Sequence, residues 1–183
     1  GKFADGSATK TVSTAFGTGV NPQEIPTKEG YALEGWAYEG TTDIVVSPDA
    51  ATTVNMVVDG LKFDAVWKVQ KYSLSYRNYN NTEFETFEVE YGTPAAQMPV
   101  PATNPVRTGY YFNGWVGTPE TMPAAQVRIT PDFQLETYTF KFNTDGGTEI
   151  ADATVTYNQK YTAPANPTKT GYHFLYWMDT EGN

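Results

Sequence analysis

One motif occurs three times in this chain of 183 residues. It reads Pro, any residue, Lys or Arg, any residue, Gly, Tyr, and then Trp five positions after the Tyr. Repetition of several fixed spacings indicates a tandem array of small units, each of which must be interpreted by itself. The motif residues to which we assign a structural role are Gly30, Tyr31, Trp36, Gly109, Tyr110, Trp115, Gly171, Tyr172 and Trp177.

The spacing of the strands predicts three units. Equivalent strands begin 66 residues apart, at Tyr72 and Tyr138. We therefore predict a first unit at 1–70, which lacks its first strand and carries an insertion near 41–60, a complete second unit at 71–136, and a third unit at 137–183 that lacks its closing strand. Units of this size lie near the lower limit for a self-supporting core, so stacking against neighbours is expected to stabilise them. The very short linkers predict a stiff, elongated array.

Alternating apolar residues predict a mostly β fold, α+β at most. In the second unit, alternation predicts strands at 72–76, 87–91 and 127–133. Pro131 cannot donate a hydrogen bond, which predicts that the last of these strands lies at a sheet edge or is bulged there. In the third unit, Asp145 and Gly146 between alternating segments predict a hairpin turn.

The first unit is predicted to contain a return strand at 11–16. Ser47 and Thr118 are each followed by Pro and an acidic residue, which is typical of a helix start. Pro123 limits the second of these predicted helices to about a turn.

Composition narrows the classes of partner. The net charge is −9, which argues against nucleic acid or an anionic membrane. The chain has no cysteine, so disulfides and Cys-ligated metals are excluded. The sequence also predicts no transmembrane helix and no signal peptide. Aromatics at 15%, with 16 Gly and 12 Pro, fit short strands joined by turns.

The motif residues have physical roles that the sequence predicts. The Gly before Tyr is expected to adopt positive φ or to allow another backbone close by. A β-bulge at Gly35 or Gly114 would bring the Tyr and Trp of one motif onto the same face. Tyr176, which replaces this Gly in the third copy, should then abolish the bulge or adopt the left-handed conformation.

Two interpretations of the repeated aromatic and basic residues remain open. The tryptophans are either core anchors, which we favour, or an aromatic platform for sugars. The Lys or Arg of each motif either covers the face of the Tyr or Trp, which we also favour, or forms a basic binding row.

No combination of residues points to catalysis, a cofactor or a metal. His173 is the single histidine and is interpreted as a partly buried strand residue, because it has no Cys or acidic partner nearby in sequence. Nucleophile, phosphate-loop and dinucleotide motifs are absent from the sequence. Four glutamates between Glu83 and Glu90 are interpreted as a solvated strand face.

Alternating strand, Asp-Gly-Gly turn, return strand ending in Tyr-Gly or Tyr-Asn, and the Gly-Tyr-Trp motif together resemble the Listeria–Bacteroides repeat, the B-repeat of bacterial internalins. The resemblance covers nearly the whole chain, and 121–125 also resembles a segment common before that family's last strand. It implies tandem small β-grasp-like units, similar in outline to ubiquitin-like domains, in a secreted, cell-surface or cell-wall-anchored protein. Tyr176 and Phe133, which stands where Trp67 ends the first unit, depart from the pattern.

The resemblance implies a non-catalytic stalk or spacer that is also a possible protein-interaction module for adhesion. Its partner would be a host or bacterial surface protein, with no nucleic acid and no membrane insertion by this segment. The alternative is a carbohydrate-binding array that uses the repeated aromatic residues.

Overall fold

The computed structural model describes residues 1–20, 24–48, 54–55 and 59–179. Within these residues the fold is nearly all β, with several small sheets and one short 3-10 helix at Ala95–Gln97. The strands are β1 (Gly19–Val20), β2 (Tyr31–Tyr38), β3 (Ile44–Val46), β4 (Val54–Asn55), β5 (Phe63–Val69), β6 (Lys71–Arg77), β7 (Glu83–Glu90), β8 (Tyr110–Val116), β9 (Val127–Leu135), β10 (Thr137–Phe140) and β11 (Ala153–Thr156). The predicted mostly β class is confirmed, while its β-grasp-like character remains a prediction.

The chain forms two compact units. One consists of 1–103 and 115–130, and the other consists of 104–114 and 131–183. Strands β8 and β9 are therefore each divided between the two units. The division into three repeats remains a prediction about sequence units.

The first repeat builds a three-stranded sheet in the order β3-β2-β5. Strand β2 pairs antiparallel with β5, and the register shifts between Leu33 and Gly35. Gly35 has φ of 159°, and a side chain there would meet the carbonyl oxygen of Val46. The register shift confirms the predicted bulge at Gly35. The close approach of the Val46 backbone leaves no room for a Cβ, which explains why this residue is Gly.

The second repeat provides the main hydrophobic core. Strands β7, β6, β9 and β8 form a sheet in that order. Strands β6 and β7 are antiparallel, and β6 and β9 are parallel. Apolar residues on one face of these strands pack with two methionines from the connecting segments. The buried cluster consists of Leu74, Tyr76, Val89, Met98, Met122, Val127 and Ile129.

Met122 shows how a loop supplies part of this core. It is fully buried, and its backbone N–H donates to the carbonyl of Thr93 at 2.9 Å. Its own carbonyl accepts from the N–H of Gly92 at 2.8 Å. Backbone hydrogen bonds from both sides of the buried Met122 side chain therefore hold the segment at 121–125 against residues 92–93.

The third repeat contributes the hairpin of β10 and β11, in which Tyr138 pairs with Val155. The Asp-Gly turn lies inside the long connection of this hairpin, with Asp145 at φ 49° and Gly146 at φ 82°. None of the described residues at 137–179 is fully buried.

Several predictions for individual elements were wrong. Residues 11–16 form no strand, and β1 at Gly19–Val20 pairs with β4 instead. No helix begins at Thr118, whereas the helix start predicted at Ser47 concerns a segment that lies mostly outside the described residues. A cap and a proline alone cannot nucleate a helix without an apolar face to bury.

Of the two alternatives predicted for the strand of Pro131, the edge position was wrong, and the bulge remains a prediction. Strand β9 lies between β6 and β8 in the sheet. Its pairing with β6 runs from Val127 to Ile129 and stops before Pro131. The proline is tolerated inside a central strand because it lies beyond the paired segment, where no ladder donor is required on that side.

Candidate functional site

The repeated motif folds into the same tight turn in each of its three copies. The N–H of Tyr31, Tyr110 and Tyr172 donates to the carbonyl three residues earlier, at 3.0 Å in every copy. The intervening glycines have φ of 74° at Gly30, 76° at Gly109 and 82° at Gly171. Positive φ at the third position of a turn is the type II pattern, and it explains why the motif requires Gly there.

The basic residue at the start of each turn covers the tyrosine at its end. The Lys28 ammonium lies 3.8 Å from the centre of the Tyr31 ring, and the Lys169 ammonium lies 4.7 Å from the centre of the Tyr172 ring. The Arg107 guanidinium lies 3.7 Å from the Tyr110 ring in the second copy. The predicted covering of the motif tyrosine by a cation is confirmed.

The first junction between repeats is built on the glycine of the first motif. Gly30 is buried under the ring of Tyr91, and a Cβ on Gly30 would overlap that ring. The same ring packs edge-on against Tyr31, with ring centres 5.9 Å apart. Gln70, the single residue between β5 and β6, donates its N–H to the Gly30 carbonyl at 2.8 Å and accepts from the Tyr91 N–H at 2.9 Å.

The second junction repeats this arrangement with different residues. Gly109 is buried, and a Cβ there would overlap the ring of Tyr157. Glu136, the single residue between β9 and β10, donates its N–H to the Gly109 carbonyl at 2.9 Å. Its carbonyl accepts from the N–H of Tyr157 at 2.8 Å. Motif glycine, linker residue and return-strand tyrosine thus form one recurring constellation, which we call the glycine–tyrosine junction.

The third motif forms the same turn, but no tyrosine ring among the described residues covers its glycine. Gly171 is exposed, and a Cβ there would meet nothing within 4 Å. Tyr172 is 71% exposed, whereas Tyr31 and Tyr110 are half-buried.

The motif tryptophans pack against other aromatic side chains. Trp36 is 9% exposed and stacks on Phe3 with ring centres 6.3 Å apart. Trp115 is half-buried and packs edge-on against the buried ring of Tyr76, with ring centres 4.8 Å apart. Trp177 is half-buried against Phe142, at 5.2 Å between ring centres. Rings that are covered in this way offer little open face to a sugar.

Tyr176 lies outside any strand in the third motif. Its φ is not positive, and no strand is formed at 173–179, where the first two motifs contain β2 and β8. His173 is exposed and lies outside any strand, so its interpretation as a partly buried strand residue was wrong.

The ionisable groups of the described residues include an exposed set of glutamates on β7 and a buried tyrosine. The glutamates at 83, 85, 88 and 90 are exposed along β7, as predicted for a solvated face. Burial raises the pKa of Tyr76, whose hydroxyl donates to the Pro99 carbonyl at 2.9 Å. No group of three or more His, Cys, Asp or Glu within the described ranges could hold a metal ion. Among the same residues, no helix is both long and apolar enough to cross a membrane.

Sequence reasoning missed the contacts that Tyr91 and Tyr157 make with the motif glycines. Each directly follows a return strand and is followed by a residue with positive φ, 78° at Gly92 and 63° at Asn158. A tyrosine repeated before such a turn was a detectable signal. Its contact with a glycine far away in sequence was not, because alternation identifies strands without identifying what covers their ends.

Comparison with known proteins identifies relatives of much greater length. A protein of Evansella cellulosilytica, named by inference as a membrane protein, is 26% identical over 96% of this chain and 27% of its own length. A second protein of that organism, named by inference as a Gly-rich membrane protein, is 27% identical over 98% of the chain and 21% of its own length. Internalin H of Listeria monocytogenes is 34% identical over 43% of the chain and 16% of its own length.

The chain thus spans about a quarter of the length of the first two relatives. No solved structure matches it. The pattern of the Listeria-Bacteroides repeat domain matches residues 3–58, 72–130 and 138–183. Because these three matches cover most of the sequence and each contains one copy of the motif, the chain belongs to the Listeria-Bacteroides repeat domain family.

Proposed function

We propose that this chain is a non-catalytic repeat segment of a bacterial cell-surface or secreted protein, in which it acts as a spacer and as a protein-interaction module. The observation that carries the proposal is the glycine–tyrosine junction, which is built twice from the same backbone hydrogen bonds. A spacer requires the same connection between successive repeats, whereas catalysis requires a distinct site.

The linkers explain how such a segment can hold a distance. Gln70 and Glu136 are each the sole residue between two strands, and each uses both its N–H and its carbonyl in the junction. A linker whose backbone groups are both bonded cannot rotate freely without losing about 1 kcal/mol for each hydrogen bond. We therefore expect little bending at these two positions.

The adhesive part of the proposal rests on sheet edges. Strand β7 is at the edge of the four-stranded sheet, with exposed glutamates along it. Edge strands can pair with a strand of another protein, and charged side chains on the edge restrict which partners can do so. The expected partner is a host or bacterial surface protein with a basic or neutral strand. The name of one relative, Internalin H, points to this class of bacterial protein.

Pairs of spin labels test the spacer function directly. The chain has no cysteine, so Lys62→Cys with Glu85→Cys places labels uniquely on either side of the first junction. Both positions are exposed. A matched control pair, Glu85→Cys with Glu120→Cys, lies within the second repeat and gives the width that the labels themselves contribute.

A distance distribution as narrow as that of the control pair is expected across the junction. A distance distribution much broader than that of the control pair would contradict the spacer function.

The carbohydrate alternative is tested separately by tryptophan fluorescence. Saturable quenching by an oligosaccharide, lost on Trp115→Phe, would favour that alternative.

A further inference from the structure

The third motif presents a complete but uncovered turn. Gly171 has φ of 82°, the N–H of Tyr172 donates to the Lys169 carbonyl at 3.0 Å, and the Lys169 ammonium lies over the Tyr172 ring. These are the features of the two turns that are covered by a tyrosine. The difference is exposure, since Gly30 and Gly109 are buried and Gly171 is exposed.

We propose that Gly171 and Tyr172 form a binding site for one further repeat of the same kind, joined in tandem after the third repeat. Its occupant is the tyrosine that directly follows the return strand of that repeat. This inference goes beyond the proposed spacer function, because it assigns a specific site and the chemistry of the group that fills it.

The chemistry of the occupant follows from the two filled sites. Both are filled by a tyrosine ring over the glycine, Tyr91 over Gly30 and Tyr157 over Gly109. A flat ring can approach a Cα that carries no Cβ, and in the first junction it also packs edge-on against the motif tyrosine. The Gly171 carbonyl would accept from the linker residue, as the carbonyls of the other two motif glycines do.

The surface beside this site is unusually apolar for an exposed segment. Tyr172 is 71% exposed, and it is followed by Leu175, Tyr176 and Met178, which are 81%, 66% and 61% exposed. Contiguous exposed apolar side chains commonly mark an interaction surface. In the second repeat the equivalent segment includes strand β8, which lies beside β9 in the sheet. A closing strand and a following repeat would cover the third segment in the same way.

Covalent linkage favours a tandem repeat over a second molecule as the occupant. Both existing junctions are made within one chain, where linkage keeps the tyrosine at a high effective concentration. A second copy of the chain could offer its Phe16, which is 83% exposed and is followed by Gly17 at φ 75°. It would have to bind without that advantage, through one aromatic ring.

An extended chain tests the proposal. A copy of residues 122–183 is appended after Asn183, so that the copied Glu136 follows Gly171 by 27 positions, the spacing of Gly109 and Glu136. Tyrosine nitration by tetranitromethane is then measured for each peptide by mass spectrometry. Tyr76, which is 1% exposed, reports whether each protein is folded.

In the unextended chain, Tyr172 should be nitrated faster than Tyr31 and Tyr110. In the extended chain this excess should be lost, and it should return when the copied Tyr157 is replaced by Ala. Equal nitration of Tyr172 in the unextended and the extended chain would overturn the proposal. A loss of Tyr172 reactivity with rising concentration of the unextended chain would also overturn it, in favour of a second copy as occupant.

A variant of the unextended chain keeps the test valid if the extension does not fold. Tyr91→Ala empties the first junction, so nitration of Tyr31 should rise to the rate of Tyr172. Tyr157→Ala, which removes the ring from the second junction, is the matched control and should leave Tyr31 unchanged. Unchanged nitration of Tyr31 in Tyr91→Ala would show that the occupant does not shield the motif tyrosine, and the proposal would fail.

Discussion

Replacement of Gly109 by Ala is the sharpest test of the glycine–tyrosine junction. Two independent penalties meet at this residue. Its φ of 76° lies in the left-handed region, where an L side chain collides with its own backbone. Its missing side chain also leaves the space that the Tyr157 ring occupies, so an added Cβ would overlap ring atoms.

The two penalties can be estimated separately. The left-handed conformation costs a residue with a Cβ about 1–2 kcal/mol. Overpacking against a neighbouring side chain costs about 1–3 kcal/mol, because the ring must move from its place. Gly109→Ala should therefore lower the free energy of unfolding by about 2–5 kcal/mol.

Gly171→Ala is the matched control. Gly171 has φ of 82° in the same turn, and its Cβ would meet nothing within 4 Å. Only the backbone penalty of about 1–2 kcal/mol applies there. The difference between the two variants isolates the contact with Tyr157.

Urea unfolding followed by tryptophan fluorescence and circular dichroism measures the free energies of the single variants and of Gly109→Ala combined with Tyr157→Ala. With the ring removed, Gly109→Ala should cost no more than Gly171→Ala does, because coupled residues give non-additive effects. If Gly109→Ala alone costs no more than Gly171→Ala, the argument that the glycine exists to accommodate the ring is wrong.

Three further predictions concern the core and the third repeat. Burial raises the pKa of Tyr76, so the unfolded state ionises first as pH rises, and the free energy of unfolding should fall above about pH 10. Urea titrations from neutral to alkaline pH should show a smaller fall in Tyr76→Phe than in the unmodified chain. Met122→Ala should lower the free energy of unfolding by about 2–5 kcal/mol in the same assay, because the side chain is fully buried. Amides at 138–179 should exchange hydrogen faster than those at 71–136, since no described residue at 137–179 is fully buried, and equal protection would contradict this.

Local spacing was sufficient to predict much of the fold. The type II turn needs Gly at its third position, and the basic residue and the tyrosine at its ends are brought together by the turn alone. Strands β6, β7 and β9 followed from alternation, because a half-buried strand must expose every second residue. The bulge at Gly35 followed from a glycine in the middle of an apolar strand.

Predictions failed where a neighbour in space overrides the local pattern. Residues 11–16 occupy the place of a return strand in the first unit but form no strand among the described residues, because a strand exists only when a partner strand lies beside it. Pro131 indicated a strand that is bulged or at an edge, yet β9 is central, because the order of strands depends on pairing and not on the residues of one strand.

The amino-acid sequence by itself determined the repeat, its turns, most of its strands and its family, since each depends on residues a few positions apart. Only the tertiary structure decided what the motif glycine is for. Tyr91 lies 61 positions after Gly30, and Tyr157 lies 48 positions after Gly109, with a one-residue linker bonded to both partners in each case. Periodicity cannot identify contacts at such separations, because they depend on how two strands and a linker pack together in space.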